Sequence, residues 1–210
     1  MIDFELYGGR RAYFAHLRSC AQYAIGAYGT ADRIEWNVVA RLVFVCQGNI
    51  CRSPYAGVRA GALGVRAISA GLEATDGHCA DESASRNALQ RGIDLSTHRS
   101  TRLKPALLAP GDLLVVFEPW QLRSVMRRQF VNVAGVTLLG IWAHPLRPHI
   151  QDPFGRSERY FQRCFATIDL CIDQLTTRLL AHGAPVAPNM RPGDSAVALS
   201  SNSTVVGTRA

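Results

Sequence analysis

The sequence predicts an α/β fold: a four-stranded parallel sheet flanked by helices on both faces. Three observations predict it. Short apolar runs alternate with stretches of helical period between residues 41 and 182, the pattern of a parallel sheet whose crossovers are helices. The apolar runs are rich in Val, Leu, Ile and Phe, as strands buried on both faces are. The first of them passes straight into a tight loop and then Ser53-Pro54, a helix start, and open α/β sheets bind ligands beyond the carboxyl ends of their strands.

Residues 1–40 form an extension that is partly helical. Phe14, Leu17, Ala21, Ile25 and Tyr28 recur at helical spacing, and Gly29-Thr30 reads as the stop. Docking on the body, binding a partner and an upstream start site all remain open for it. Leu42–Val45 is the first strand, and Ser53-Pro54 opens a helix with proline suited to a first turn. Val65–Ser69 is the second strand, Ala80–Gln90 a helix and Asp112–Phe117 the third strand. Pro119–Phe130 is a helix and Val136–Leu139 the fourth strand. Ser157–Ala181 is a long last helix with a stripe of Phe161, Phe165, Ile168, Ile172, Leu175 and Leu179. Residues 183–210 are rich in Pro, Ala, Ser and Val and poor in charge, so a disordered tail is expected.

The chain has 210 residues, enough for one sound core. Its net charge is +7, and all but one of its 23 basic residues are arginines, the exception being Lys104. The arginines are spread out rather than clustered, which fits a solvated surface that draws in an anionic substrate better than a nucleic-acid binder. The six cysteines do not form paired C-x-x-C motifs, so no structural zinc is expected. Arg10-Arg11 precedes an apolar stretch, but His16, Arg18 and Gln22 interrupt it, so no export signal is expected. The expected setting is the cytoplasm, with reduced thiols and no membrane insertion.

The loop Cys46-Gln47-Gly48-Asn49-Ile50-Cys51-Arg52-Ser53 carries the chemistry. Cys46 is the only cysteine with an arginine six residues on. That spacing alone is weak, and the strand before and helix start after give it meaning. A tight strand-to-helix loop aims successive N–H groups inward, and the helix adds its positive end, which together cradle an anion. Gly48 is expected to permit the close turn, and Asn49 to tolerate left-handed backbone and brace the loop. Arg52 presents a planar fork for two phosphate oxygens. A cysteine in that field favours its nucleophilic thiolate, which the Ser53 hydroxyl can stabilise. Backbone dipoles and Arg52 would carry the charge, so no metal and no cofactor are required. Read from the residues alone, Asp152, Glu118 and Asp81 all remain candidates for a general acid.

The stretch VCQGNICRSP, Val45–Pro54, closely resembles the signature of low-molecular-weight protein tyrosine phosphatases of bacterial type. ISAG (Ile68–Gly71), GIDLSTHRS (Gly92–Ser100), LLVVFE (Leu113–Glu118) and Asp152-Pro153-Phe154 follow in the family's order. The resemblance covers roughly residues 41–180 and makes 41–182 the phosphatase domain. It implies that Cys46 is the nucleophile, that Arg52 binds the phosphoryl group and that Asp152 is the general acid. It further implies that Gln47, Gly48, Asn49, Ile50, Cys51 and Ser53 surround the phosphate. Cys51 matches a cysteine that can trap an oxidised nucleophile as a reversible disulfide; a small buried residue is the other reading. Ile50 stands where phosphoarginine-specific relatives carry threonine, which favours phosphotyrosine. Thr75 and Phe117 fall where the family's substrate rim is expected. His98 is expected to be structural, bonded near the loop, and His144 and His149 polar loop residues rather than ligands; no metal is assigned to these or to His78.

Three rivals stand against this reading. An arsenate reductase of the same fold needs a downstream cysteine pair, and no cysteine lies between Cys79 and Cys164. A non-catalytic module that binds phosphorylated ligands would be expected to lose the nucleophile or the acid. A nucleic-acid binder lacks any recognition motif. The expected substrate is a phosphotyrosine protein, with a bacterial tyrosine kinase of capsule or exopolysaccharide export as the expected partner.

Overall fold

The structure, a computed structural model, describes residues 2–29, 34–131 and 133–183. The tail expected over 183–210 lies, beyond its first residue, outside the described residues. Within the described residues four strands form: β1 (Arg41–Cys46), β2 (Ala67–Gly71), β3 (Asp112–Val116) and β4 (Val133–Leu138). All pair in parallel, in the order β2-β1-β3-β4. The order reverses between β1 and β3, and this switch point opens a crevice at the strands' carboxyl ends. Cys46 ends β1 there, and Glu118 follows β3 there.

Among the described residues five α-helices accompany the sheet: α1 (Arg10–Ala24), α2 (Arg52–Ala62), α3 (Glu82–Leu89), α4 (Pro119–Arg127) and α5 (Glu158–Ala181). Alternate strand residues point to opposite faces. Leu42 and Phe44 of β1, with Leu113 and Val115 of β3, pack in one cluster with α2, α3 and the predicted stripe of α5. Val43, Val45, Leu114 and Val116 pack in the other with Leu122 and Val125 of α4 and with Tyr28. Helices on both faces bury the sheet, as the strand composition requires.

The boundaries moved where single residues carry the turn. β4 starts at Val133, three residues before the expected Val136, because the register shifts opposite Asp112 and Leu113 and the strand absorbs Gly135. A glycine inside a strand marks such a bulge and not an end. α4 stops at Arg127 rather than Phe130, with Gln129 at φ 48, a left-handed residue that closes the helix. α1 forms inside the expected helical stretch, but its docked face carries Ala12, His16 and Ser19. Phe14, Leu17 and Ile25 of the predicted stripe are exposed, and only Tyr28 is buried. Among the described residues no helix is long and apolar enough to cross a membrane.

Candidate active site

The loop from Cys46 to Ser53 joins β1 to α2, and its carbonyls face outward. The Gln47 carbonyl accepts from Glu73 N–H (2.9 Å) and the Ile50 carbonyl from Asp81 N–H (2.9 Å). The Asn49 carbonyl accepts from His98 Nε2–H at 2.7 Å. In a trans peptide the next N–H points opposite to the carbonyl. The N–H groups of Gly48, Ile50 and Cys51 therefore face into the loop, where an anion would sit. The carbonyl acceptor requires the proton on His98 Nε2, and burial lowers the pKa of this ring, only partly offset by that bond.

Asn49 is the brace. It takes φ 55, the left-handed conformation a short amide tolerates. Its Nδ2 donates to Ser53 Oγ (2.8 Å) and Ser69 Oγ (2.9 Å), and its Oδ1 accepts from Thr101 N–H (2.8 Å). Its backbone N–H donates to Cys46 Sγ at 3.2 Å. The Cys46 sulfur also lies 3.0 Å from Ser53 Oγ. Ser53 has one hydroxyl proton, and it can be given to a Cys46 thiolate or to the Ala70 carbonyl 3.2 Å away. The serine thus follows the ionisation of the thiol.

Gly48 is not the crowded position that its place in the motif suggests. A Cβ there would meet nothing closer than Ile50 Cγ1 at 3.5 Å, an ordinary contact. The close approach is at Gly71, the last residue of β2, where a Cβ would lie 2.7 Å from the Gln47 carbonyl oxygen and 2.9 Å from Asn49 N. The glycine in ISAG is the signal, and it is absence of a side chain there that admits the loop.

Arg52 is fully buried. One terminal nitrogen donates to Glu118 Oε1 (2.6 Å) and to the Ile150 carbonyl (2.8 Å), and the other to Asp152 Oδ2 (2.6 Å). Burial opposes its charge, but the carboxylates of Asp152 and Glu118, with Cys46, more than offset this and raise its pKa. Among the described residues its Nε–H has no partner. An unpaired buried donor is costly, and a bound phosphate oxygen would satisfy it. Phe117 is fully buried with the Arg52 guanidinium 5.5 Å above its ring, so it is not part of a rim, contrary to the sequence reading. Thr75 is exposed, and its carbonyl accepts from Ser100 Oγ at 2.6 Å.

Asp152 reaches Arg52 from the loop before α5, and its Oδ1 accepts from Phe154 N–H at 3.2 Å. Phe154 is exposed beside it. Glu118, one of the acids left open by sequence, faces the same guanidinium but caps α4 in a reciprocal box with Gln121. Its other oxygen lies 3.6 Å from His149 Nε2. Asp81 is removed from this cluster: it caps α3 through Ala84 N–H at 2.9 Å. Glu118 as an anchor for Arg52 was missed. Its place directly after the third strand, at the strand's carboxyl end, is the signal that points to it. Cys51 is buried, and burial raises its thiol pKa, with Asp152 and Asp81 adding.

Comparison with known proteins places this geometry. The family model described as low molecular weight phosphotyrosine protein phosphatase matches residues 41–184. A probable low-molecular-weight protein-tyrosine-phosphatase of Ralstonia solanacearum, EpsP, is 34% identical over 148 residues, 70% of this chain and 100% of that protein. The crystal structure of the tyrosine phosphatase Wzb from Escherichia coli K30 in complex with sulphate superposes with a TM-score of 0.61 at 31% identity, covering 67% of this chain and 99% of that one. The arginine phosphatase YwlE from Geobacillus stearothermophilus superposes with a TM-score of 0.59 at 26% identity, covering 68% of this chain and 94% of that one. The chain belongs to the low-molecular-weight protein-tyrosine-phosphatase family.

Proposed function

We propose that the chain hydrolyses phosphotyrosine in proteins through a phosphocysteine at Cys46. The observation that carries this is the Cys46 sulfur, 3.2 Å from Asn49 N and 3.0 Å from Ser53 Oγ, at the mouth of a loop whose arginine keeps one buried N–H unpaired. The phosphoryl oxygens take the inward N–H groups and Arg52, which releases Asp152. The released Asp152 carboxylate takes a proton from solvent; the thiolate then attacks phosphorus as the phosphorus–oxygen bond to the aryl group breaks, and Asp152 gives that proton to the departing phenolate. Ser53 supports the thiolate before attack and again when it leaves. Asp152, now a carboxylate, takes a proton from the water that splits the phosphocysteine. Backbone dipoles and Arg52 hold the transferring charge throughout.

Ile50 lines the loop and Phe154 lies exposed beside the acid, and both favour an aromatic phosphate ester over phosphoarginine. A bacterial tyrosine kinase of capsule or exopolysaccharide export is the proposed partner, and the cytoplasm the proposed site of action. Deleting the gene should raise that kinase's phosphotyrosine; unchanged phosphotyrosine and polysaccharide output would remove this assignment. Cys51, a buried thiol held neutral, is the proposed resolving group for an oxidised Cys46. Peptide mapping after peroxide should find a Cys46–Cys51 link that thiols reverse. For the reaction itself, purified protein should hydrolyse a phosphotyrosine peptide and p-nitrophenyl phosphate. Cys46→Ser should fall to the background rate, and retained turnover would refute the mechanism.

A further inference from the structure

The segment before α1 grips the loop that carries Asp152 at three places. Residues Phe4–Tyr7 form a short 3-10 helix ending at Gly8. Ahead of the acid, the Arg147 guanidinium lies over the Tyr7 ring, 4.6 Å from its centroid. Beside the acid, buried Gly8 presses so closely that a Cβ would lie 2.9 Å from Tyr160 Cζ and 3.1 Å from Gln151 Cγ. Tyr160 in turn donates its hydroxyl to the Gln151 carbonyl at 3.1 Å. Beyond the acid, Glu5 accepts from Ser157 Oγ (2.7 Å) and Arg159 (3.0 Å), and Asp3 pairs with Arg159 (2.7 Å). Ser157 is the N-cap of α5. None of residues 3–8 falls within the family match at 41–184.

Asp152 itself has few restraints. Its side chain is 29% exposed and is held by Arg52 and by the N–H of Phe154 in its own loop. When a phosphate engages Arg52, that anchor weakens, and the reach of Asp152 depends on the backbone around it. The segment packs on side chains that flank that backbone on both sides, Arg147 and Gln151 before the acid and Ser157 after it.

We infer that residues 3–8 are a positioning clamp for the general-acid loop, setting how well Asp152 meets the leaving-group oxygen. The inference rests on the assignment of Asp152 as the acid. Tyr7, Gly8 and Glu5 are positioning residues, since none of them touches the reacting atoms.

The test uses the full chain and kcat/KM across aryl phosphates from p-nitrophenyl to phenyl. A good leaving group departs without a proton, and a poor one needs it. Tyr7→Ala should lose little on p-nitrophenyl phosphate and about tenfold on phenyl phosphate, since sub-ångström misplacement suffices for that. The half-exposed pair Asp3→Asn with Glu5→Gln, which lies outside the core, should lose about twofold on phenyl phosphate alone. Asp152→Asn should steepen the leaving-group dependence further. Adding Tyr7→Ala to Asp152→Asn should then cost nothing more. No loss, a uniform loss across leaving groups, or an equal loss with and without Asp152 would overturn the clamp while a steep Asp152→Asn series leaves the acid standing. A flat Asp152→Asn series would overturn the acid assignment and the clamp with it.

Discussion

Residues 46–53 and residues 147–157 face each other across Arg52, and they are held by contacts of different kinds. The first loop is braced from within by Asn49 and Ser53 and from outside by the neighbouring strand at Ser69 and Gly71, by the N–H groups of Glu73, Asp81 and Thr101 and by the His98 ring, so nearly every polar group of its backbone is tied. The second depends on side chains that are remote in the sequence: Arg52 binds the Ile150 carbonyl and Asp152, and Glu5 binds Ser157. A nucleophile needs a fixed field around one atom, and a loop bonded to its surroundings on every side provides it. An acid must reach a leaving group whose position varies with substrate, and remote contacts leave that reach adjustable.

The leaving-group dependence separates the two regions experimentally. Damage to the cradle should slow all substrates alike, whereas damage to the acid loop should slow poor leaving groups selectively. The largest effect is expected at Gly71→Ala, whose Cβ would collide with backbone of the loop. Its kcat/KM should fall about 100-fold for every leaving group, with about 1–3 kcal/mol lost in urea unfolding. A selective loss there would break the comparison. Asn49→Ala should follow, losing about 1–3 kcal/mol because three side-chain bonds and a left-handed position are both compromised. Its activity loss, read on the same substrates, should again be uniform.

Glu118→Gln keeps an acceptor for Arg52 but removes one of its two charge partners. The expected result is a severalfold rise in KM for all aryl phosphates with little change in leaving-group slope. The smallest effect concerns pH. The His16 ring lies against Tyr7, tilted by 38° with centroids 5.1 Å apart, and has Cys20 beside it. Burial, then the nearby Arg147 and His149, lower its pKa to about 4. The unfolded histidine titrates near about 6.5, so the unfolded chain binds the extra proton between these values. Stability is full above that range and is lost as pH falls toward 4. Thermal unfolding at pH 7 and pH 5 should show a smaller acid loss in His16→Gln than in wild type; equal losses would show that His16 does not contribute.

Much of the fold was legible because its cues are local. Four strands, the Ser53-Pro54 helix start and the stripe from Phe161 to Leu179 follow from period and composition, and every residue of that stripe is buried. The cradle was legible for the same reason, with Asn49 marking the left-handed turn. What was not legible depends on residues that meet only in the folded chain. Gly71 entered only as the last residue of the ISAG match, although it is the site where the loop comes closest. Phe117 read as rim because a position in a motif does not reveal which way a side chain points; it lies beneath Arg52. The N-terminal helix was found, but its docked face was not, because His16 and Ser19 are polar and Phe14 stays outside. Hydrophobic period finds a helix without saying which polar groups find partners on docking.

The central claim is that Cys46 carries the phosphoryl group during turnover. Acid quenching of the wild-type enzyme during hydrolysis of p-nitrophenyl phosphate, followed by peptide mass mapping, tests it most directly. The expected result is one phosphoryl group on the peptide containing Cys46, lost on mild hydrolysis and missing in Cys46→Ser. A phosphoryl group on any other residue, or an unmodified Cys46 peptide at every quench time while product accumulates, would contradict it.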